Sequence, residues 1–183
     1  MDTIFLDVET TGLNHSRDKI VDIGIVDEDG NVLLNTLVNP EIPIPFGASR
    51  IHGIRDDDVV CAPSYDEIKQ TVKKLCDGRH VVAYNASFDM GFLQDVEPAK
   101  ISCAMLAYSE FYGQRSDYHG GYKWQKLSTA TTNMRYDWGD DLEHRALSDA
   151  KACRYVWIEL HKLLELRKQR VVVGQPTLED IPF

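Results

Sequence analysis

Three strand-like runs near the N-terminus constrain the fold of this chain more than any other feature. Thr3 to Val8, Ile20 to Val26 and Val32 to Val38 are rich in apolar and β-branched residues, and Asp29-Gly30 between the last two is typical of a hairpin turn. Strands joined by such a short turn pair in the antiparallel sense. The sequence therefore predicts an antiparallel three-stranded meander at the start of the fold.

The remainder of the chain alternates between helical and strand-like patterns. The proline-containing segment 40–45 indicates a loop, and Ser64 with Glu67 forms a capping-box signature for a helix that runs to about Cys76. Further strands are expected at His80 to Tyr84 and Ile101 to Cys103, and further helices from Asn85 to about Val96, from Ala104 to Tyr112, from Trp124 to about Asn133 and from Ala146 to Lys168. This order predicts an α/β fold with a mixed central sheet flanked by helices.

Length and composition favour a single folded domain in the cytoplasm. The 183 residues fit one domain, which we place at residues 1–170, followed by a tail at 171–183 that is either flexible or docked on a partner. We find no apolar run long enough to span a membrane and no secretory leader, so we expect no membrane association. The net charge of −9 argues against a broad basic surface that coats nucleic acid.

Two acids interrupt the first strand, which is otherwise largely apolar. Asp7 and Glu9, in the stretch FLDVETTG, lie two residues apart, so both carboxylates project from the same face of a strand. Like charges on a buried face repel each other, and burial raises their pKa values unless a cation is shared. Taken alone, such a pair more often marks the end of a strand, where the acids are solvated or cap the backbone.

Another acid lies where the fourth strand passes into a helix. In the stretch NASFD, Asn85 is placed to cap the helix and Asp89 falls in its first turn, where the helix dipole favours an anion. Helix capping alone would explain both residues, and so would a role in a site at the end of the strand.

A histidine and an acid precede and begin the last helix. Five residues place positions 144 and 149 about 140° apart on a helix, so His144 can reach Asp149 only from the preceding loop. Gly139 and Asp140-Asp141 favour such a loop. The alternative interpretation is a surface histidine followed by an ordinary first-turn acid.

Together these groups predict a metal site. Four carboxylates and an imidazole in one cluster are unfavourable without a cation, and hard divalent cations such as Mg²⁺ prefer oxygen ligands. Carboxylates that hold two metal ions about 3.5–4 Å apart are a known arrangement for displacement at phosphorus.

These motifs resemble those of the DnaQ-like, DEDD-type 3′-to-5′ exonucleases, in the subgroup whose third motif carries histidine. This subgroup is similar to proofreading exonuclease subunits and exonuclease X. The resemblance runs in the family's order from about Thr3 to Leu160, and it implies a ribonuclease H-like fold. The matching segments are Asp7-Val8-Glu9-Thr10-Thr11-Gly12, Asn85-x-x-Phe88-Asp89 and His144-Arg145-Ala146-Leu147-x-Asp149, with weaker matches at Ile51-His52-Gly53-Ile54 and Lys126-Leu127.

The resemblance also implies a mechanism. Asp7, Glu9, Asp89 and Asp149 would hold two Mg²⁺ ions, for which Mn²⁺ can substitute, and His144 would act as general base on the attacking water. We expect hydrolysis of terminal phosphodiesters at the 3′ ends of DNA, with release of nucleoside 5′-monophosphates. An exoribonuclease that acts on RNA ends or short oligoribonucleotides is the alternative, and an inactive nucleic-acid-binding adaptor is a further one. The oligomeric state stays open, a dimer included.

Base stacking is expected to supply much of the affinity for a single-stranded 3′ end, because stacking tolerates any base sequence. The residues that we expect to bind substrate are Thr10, Thr11, Gly12, His52, Ile54, Asn85 and Phe88.

The C-terminal residues resemble the acidic tip of bacterial single-stranded-DNA-binding protein, which partners capture through its terminal Phe and carboxylate. The hypothesis is that Ile181, Pro182 and Phe183 dock on such a pocket in a replication or repair partner, or in another copy of the chain. A loose end is the alternative, since termini are usually poorly ordered unless docked.

Overall fold

The computed structural model describes residues 2–118, 120–141 and 143–172, the last three of these as backbone only. The predicted partner-binding residues Ile181, Pro182 and Phe183 lie outside the described residues. The strands are β1 Thr3–Thr10, β2 Ile20–Asp27, β3 Val32–Leu37, β4 His80–Ala83 and β5 Lys100–Cys103. The helices are α1 Phe46–His52, α2 Asp56–Val59, α3 Tyr65–Cys76, α4 Ala86–Phe92, α5 Ala104–Tyr112, α6 Leu127–Met134 and α7 Ala146–Val172.

The strands form one mixed sheet in the order β3-β2-β1-β4-β5. The β1–β2 and β2–β3 pairs are antiparallel, whereas β4 pairs in parallel with both β1 and β5. The predicted meander and mixed α/β sheet are therefore confirmed. Because β1 and β4 run in the same direction, their carboxyl ends meet at one edge of the sheet.

Alternate residues of β1 face different helical layers. Leu6 belongs to a core formed with α3, whereas Phe5 packs in a second core with Cys153 of α7. Since strand residues two apart share a face, Asp7 and Glu9 lie on the side of β1 that α7 covers.

Gly24 in β2 lets the first turn of α7 lie directly on the sheet. It pairs with Asp7 across the strands, and a Cβ at this position would lie 2.4 Å from both the Cα and the N of Leu147. Any larger residue would push the start of α7 away from Asp7, so glycine here sets how closely β1 and α7 approach.

Several element boundaries differ from the sequence expectation. The proline-containing loop ends at Pro45, which becomes the N-cap of the short helix α1, and α2 follows it. Helix α4 ends at Phe92 rather than near Val96, and α7 continues to Val172. Helix α6 begins at Leu127 rather than Trp124, because hydrogen bonds to the core hold the preceding segment extended.

Within the part of the chain that the structure describes, no helix combines the length and apolar character needed to cross a membrane.

Candidate active site

Four carboxylates from three elements meet at the shared edge of β1 and β4. Asp7 and Glu9 lie on β1, Asp89 lies in the first turn of α4, and Asp149 lies in the first turn of α7. The backbone N–H of Val8 donates to Oδ1 of Asp89 over 3.2 Å, which fixes α4 to the acid-bearing strand. Asp89 and Asp149 are buried, while Asp7 and Glu9 are half-buried.

His144 approaches this cluster from the loop before α7, as its spacing from Asp149 predicts. Its backbone is left-handed, with φ at 63°, and its N–H donates to Oδ1 of Asp149 over 3.3 Å. The side chain is exposed. Ligand atoms of Glu9, His144 and Asp149 lie within 4.8 Å of one another, a spacing at which they can share a metal ion.

The carboxylates are strongly perturbed by one another. Burial, followed by repulsion from Asp89 and Asp149, raises the pKa of Asp7 well above its ordinary range. Burial is also the main reason that the pKa of Glu9 rises to about 8 and that the pKa values of Asp89 and Asp149 rise to about 7. The cluster therefore needs added positive charge to be fully ionised at neutral pH, which divalent cations on carboxylate oxygens would supply.

Asp22 on β2 is part of the site, and sequence reasoning missed it. It pairs with Glu9 across the strands and is 1% exposed. Its Oδ2 accepts from Nε of Arg145 over 3.0 Å and from the N–H of Ala146 over 3.4 Å. A lone acid in the apolar run IVDIGIV was the available signal, of the same kind that drew attention to Asp7.

The predicted substrate-binding residues Thr10, Thr11 and Gly12 form a tight turn after β1. The hydroxyl of Thr10 donates to the carbonyl of Gly12 over 2.6 Å, and the hydroxyl of Thr11 accepts from the N–H of Lys19 over 3.0 Å. Both threonines are buried. Their hydroxyls are therefore engaged in shaping the turn.

His52 and Ile54 lie in the wall of a cavity of about 590 Å³ that also contacts Arg145 and Glu143. We call it the histidine cavity. Both side chains are buried, and Nδ1 of His52 accepts from the N–H of Ile54 over 3.0 Å. Each offers at most a small part of its surface to a ligand.

Asn85 lines a second cavity of about 550 Å³, which extends to His144 and Asp149. We call it the tryptophan cavity, because Trp124 and Trp138 also line it. Phe88 is half-buried and packs edge-to-face on Phe92, with ring centroids 5.2 Å apart. Glu143 lines both cavities, so they flank the loop that carries His144.

The sheet order and the acid cluster define the class of protein, a ribonuclease H-like exonuclease fold. A solved structure of exonuclease X in complex with 5′-overhanging duplex DNA is 25% identical, with a TM-score of 0.70 over 87% of this chain and 91% of that chain. Escherichia coli exonuclease I in complex with a dA16 oligonucleotide shares the fold at 15% identity, with a TM-score of 0.70 over 94% of this chain and 45% of that chain.

Sequence comparison places the chain more closely. The RNase T exonuclease family profile matches residues 4–157. The uncharacterized exonuclease CP81 of Escherichia phage 186 is 37% identical over 169 residues, 82% of this chain and 83% of that protein. DNA polymerase III subunit epsilon of Treponema pallidum is 30% identical over 159 residues, 80% of this chain and 70% of that subunit. The chain belongs to the RNase T exonuclease family, which confirms the resemblance of its motifs.

The chain spans much less of some other relatives. DNA polymerase III PolC-type of Caldanaerobacter subterraneus is 30% identical over 175 residues, which cover 89% of this chain but only 12% of that polymerase.

Proposed function

We propose that this chain is a metal-dependent 3′-to-5′ exonuclease that hydrolyses terminal phosphodiesters of DNA and releases nucleoside 5′-monophosphates. The observation that carries the proposal is the convergence of four perturbed carboxylates with the exposed His144 at one edge of the sheet. Two similar proteins support DNA as the substrate, since one is named as a DNA polymerase III subunit and the other is complexed with duplex DNA.

The chemistry of the donor set fits two Mg²⁺ ions, or Mn²⁺ in their place. Asp7, Glu9, Asp89 and Asp149 would hold the ions through their carboxylate oxygens. When bound, the ions neutralise the carboxylates and stabilise the negative charge that develops on the phosphate and the leaving 3′-oxygen.

His144 is proposed to accept the proton of the attacking water. Its left-handed backbone and its N–H bond to Asp149 hold it beside the carboxylates, while the ring remains open to solvent. A neutral imidazole nitrogen can accept a proton, so the ring can take one from water and release it to solvent after each cleavage. The water oxygen bonds to phosphorus as the bond from phosphorus to the 3′-oxygen breaks.

An exoribonuclease acting on RNA ends or short oligoribonucleotides is the second candidate in the same reaction class. Contacts to the 2′-hydroxyl decide between the two sugars. An adaptor that binds without cleaving is less favoured, because the chain keeps all five of Asp7, Glu9, Asp89, His144 and Asp149. We assign the catalytic unit to residues 1–170, which contain the whole family match.

The test is degradation of 5′-labelled single-stranded DNA and RNA of the same sequence, with Mg²⁺ and with EDTA. The wild type should give a metal-dependent ladder that shortens from the 3′ end. Asp7→Ala should lower activity about a thousandfold or more by disrupting the metal ligands. His144→Ala should lower kcat about 10²- to 10⁴-fold and leave metal binding largely intact, because the four carboxylates remain.

Asp29→Ala is the matched control, since Asp29 is an exposed acid in the turn between β2 and β3 and its loss should leave activity unchanged. Wild-type turnover by Asp7→Ala would show that the proposed site is wrong. If neither substrate gives a ladder, the adaptor is favoured. If RNA is cleaved faster than DNA, the exoribonuclease is favoured.

A further inference from the structure

The tryptophan cavity opens directly onto the proposed active site, yet its aromatic wall is not explained by the metal ligands. Trp124 and Trp138 lie in its wall together with His144 and Asp149. Its volume of about 550 Å³ falls in the range of sites that bind small ligands, about 300–1,000 Å³.

Trp124 is presented by a backbone segment that is fixed to the core. The N–H of the next residue, Gln125, donates to Oγ of Ser109 over 3.1 Å, and the hydroxyl of Tyr84 donates to the Gln125 carbonyl over 2.9 Å. Both bonds are buried, yet the Trp124 side chain is 60% exposed. An exposed indole forgoes most of the stabilisation that burial would give, so its display on a rigid segment indicates a binding surface.

Trp138 follows the C-terminal end of α6 and is held in place by aromatic packing. Its ring packs edge-to-face on Tyr136 with centroids 5.1 Å apart, and Tyr136 packs in turn on Tyr155 of α7 at 5.0 Å. The hydroxyl of Tyr155 donates to the Met134 carbonyl, which ties this aromatic stack to the end of α6. The two indoles are therefore positioned independently, by different parts of the core.

The remaining lining residues have the polarity that a nucleotide requires. Asn85 offers an amide group and Lys126 adds a positive charge, while Met105 contributes apolar surface and Glu143 is an acid at the rim shared with the histidine cavity. Nucleobases stack on aromatic side chains regardless of sequence. A flat aromatic ligand fits the two indoles better than an aliphatic one, and Lys126 can pair with a phosphate attached to it.

We infer that the tryptophan cavity binds one of the two nucleobases that flank the scissile phosphodiester, by stacking against Trp124 and Trp138. This inference rests on the proposed function and deepens it. The phosphate attached to that base would lie towards the carboxylates, since His144 and Asp149 line the same cavity.

The test combines protein variants with modified substrates. Initial rates are measured for the wild type, Trp124→Ala and Trp124→Phe on intact single-stranded DNA and on strands with an abasic residue at the terminal or the penultimate position. Trp124→Ala should lower kcat/KM on intact DNA about ten- to a hundredfold, mainly through KM. Trp124→Phe should recover most of this loss because it keeps an aromatic face. One of the two abasic positions removes the base that the cavity binds. On that strand the wild type and Trp124→Ala should cleave at equal rates.

Trp157→Phe is the matched control. Trp157 packs against His80, at the end of β4 opposite to the acid cluster, so this variant should behave as the wild type. Unfolding temperatures of all variants check that they fold, and Trp138→Leu provides a second, independent loss of stacking.

The outcomes separate the two proposals. Absence of wild-type activity on any oligonucleotide would overturn the proposed function and the inference with it. An active wild type with Trp124→Ala and Trp138→Leu both within twofold of it would overturn the inference alone. A loss in Trp124→Ala that persists at both abasic positions would also overturn it, because the indole would then not be contacting either base.

Discussion

Asp22 contacts Arg145 and the start of α7, next to the proposed general base. Its carboxylate accepts from Arg145 and from the N–H of Ala146, while His144 is tethered on the other side by Asp149. A histidine in the left-handed region is held there only if its neighbours fix the loop. We therefore expect Asp22 to position His144 through the two residues that follow it.

We expect Asp22→Asn to lower kcat about 10- to 100-fold with little change in KM, as is typical when a residue that orients site groups is replaced. Asparagine keeps an acceptor but loses the charge that holds Arg145. Steady-state kinetics with Mg²⁺ measure the effect, and Arg145→Gln combined with Asp22→Asn should add little to either single change, since both break the same contact.

Asp27→Asn makes the same chemical change at the exposed end of β2, where Asp27 accepts from Asn31, and should leave kcat unaltered. If Asp22 acted only through its charge, Asp22→Asn should leave kcat unchanged or raise it. The charge of Asp22 raises the pKa of Glu9, so its removal would make the site easier to ionise. A kcat equal to or above that of the wild type would therefore contradict the positioning role.

At the level of whole elements, local patterns predicted most of the sheet and the long helices. The capping box at Ser64 and the Asp29-Gly30 turn are encoded within a few residues, and both are present. The predicted start of α6 was wrong because hydrogen bonds from Gln125 to Ser109 and from Tyr84 to Gln125 hold the preceding segment extended, and both partners are distant in sequence. The lone acid at Asp22 was visible in its strand, but its contact with the start of α7 could not be predicted, since its partner Arg145 lies 123 residues away.

Gly24 offers a test of how the packing of α7 on β2 supports the site. Gly24→Ala would place a Cβ 2.4 Å from backbone atoms of Leu147, and backbone cannot rotate away as a side chain can. We expect a loss of about 1–3 kcal/mol in the free energy of unfolding. The shift of α7 should also move Asp149 away from Asp7 and weaken Mg²⁺ binding.

Urea unfolding and titration of Mg²⁺ against the unfolding temperature measure the two effects. Gly47→Ala is the control, because Gly47 lies in α1 with nothing within 4 Å of an added Cβ. It should be neutral or stabilising by up to about 1 kcal/mol. If Gly24→Ala were as stable as Gly47→Ala, close packing of α7 on β2 would not be required.

For the molecule as a whole, the acid cluster makes stability depend on pH and on metal. Glu9 moves from an ordinary pKa of 4.5 to about 8, and Asp89 and Asp149 move from 3.8 to about 7. Between these limits the folded state binds more protons than the unfolded state, so stability falls as pH rises. The stabilisation of the folded state by these bound protons is complete below about pH 4 and is lost as the pH rises through 7 to 8.

In EDTA, we therefore expect the unfolding temperature to fall by about 5 °C or more between pH 5 and pH 8. Saturating Mg²⁺ should raise it far more at pH 8 than at pH 5, because the ions bind the ionised carboxylates. Asp89→Asn should flatten the dependence in EDTA, since it removes one buried acid and keeps an oxygen that can accept from Val8. Asp29→Asn, an exposed control, should retain the wild-type slope. An unfolding temperature in EDTA that rises from pH 5 to pH 8 would mean that the carboxylates are too far apart to repel one another. Such carboxylates would ionise at neutral pH without any bound cation.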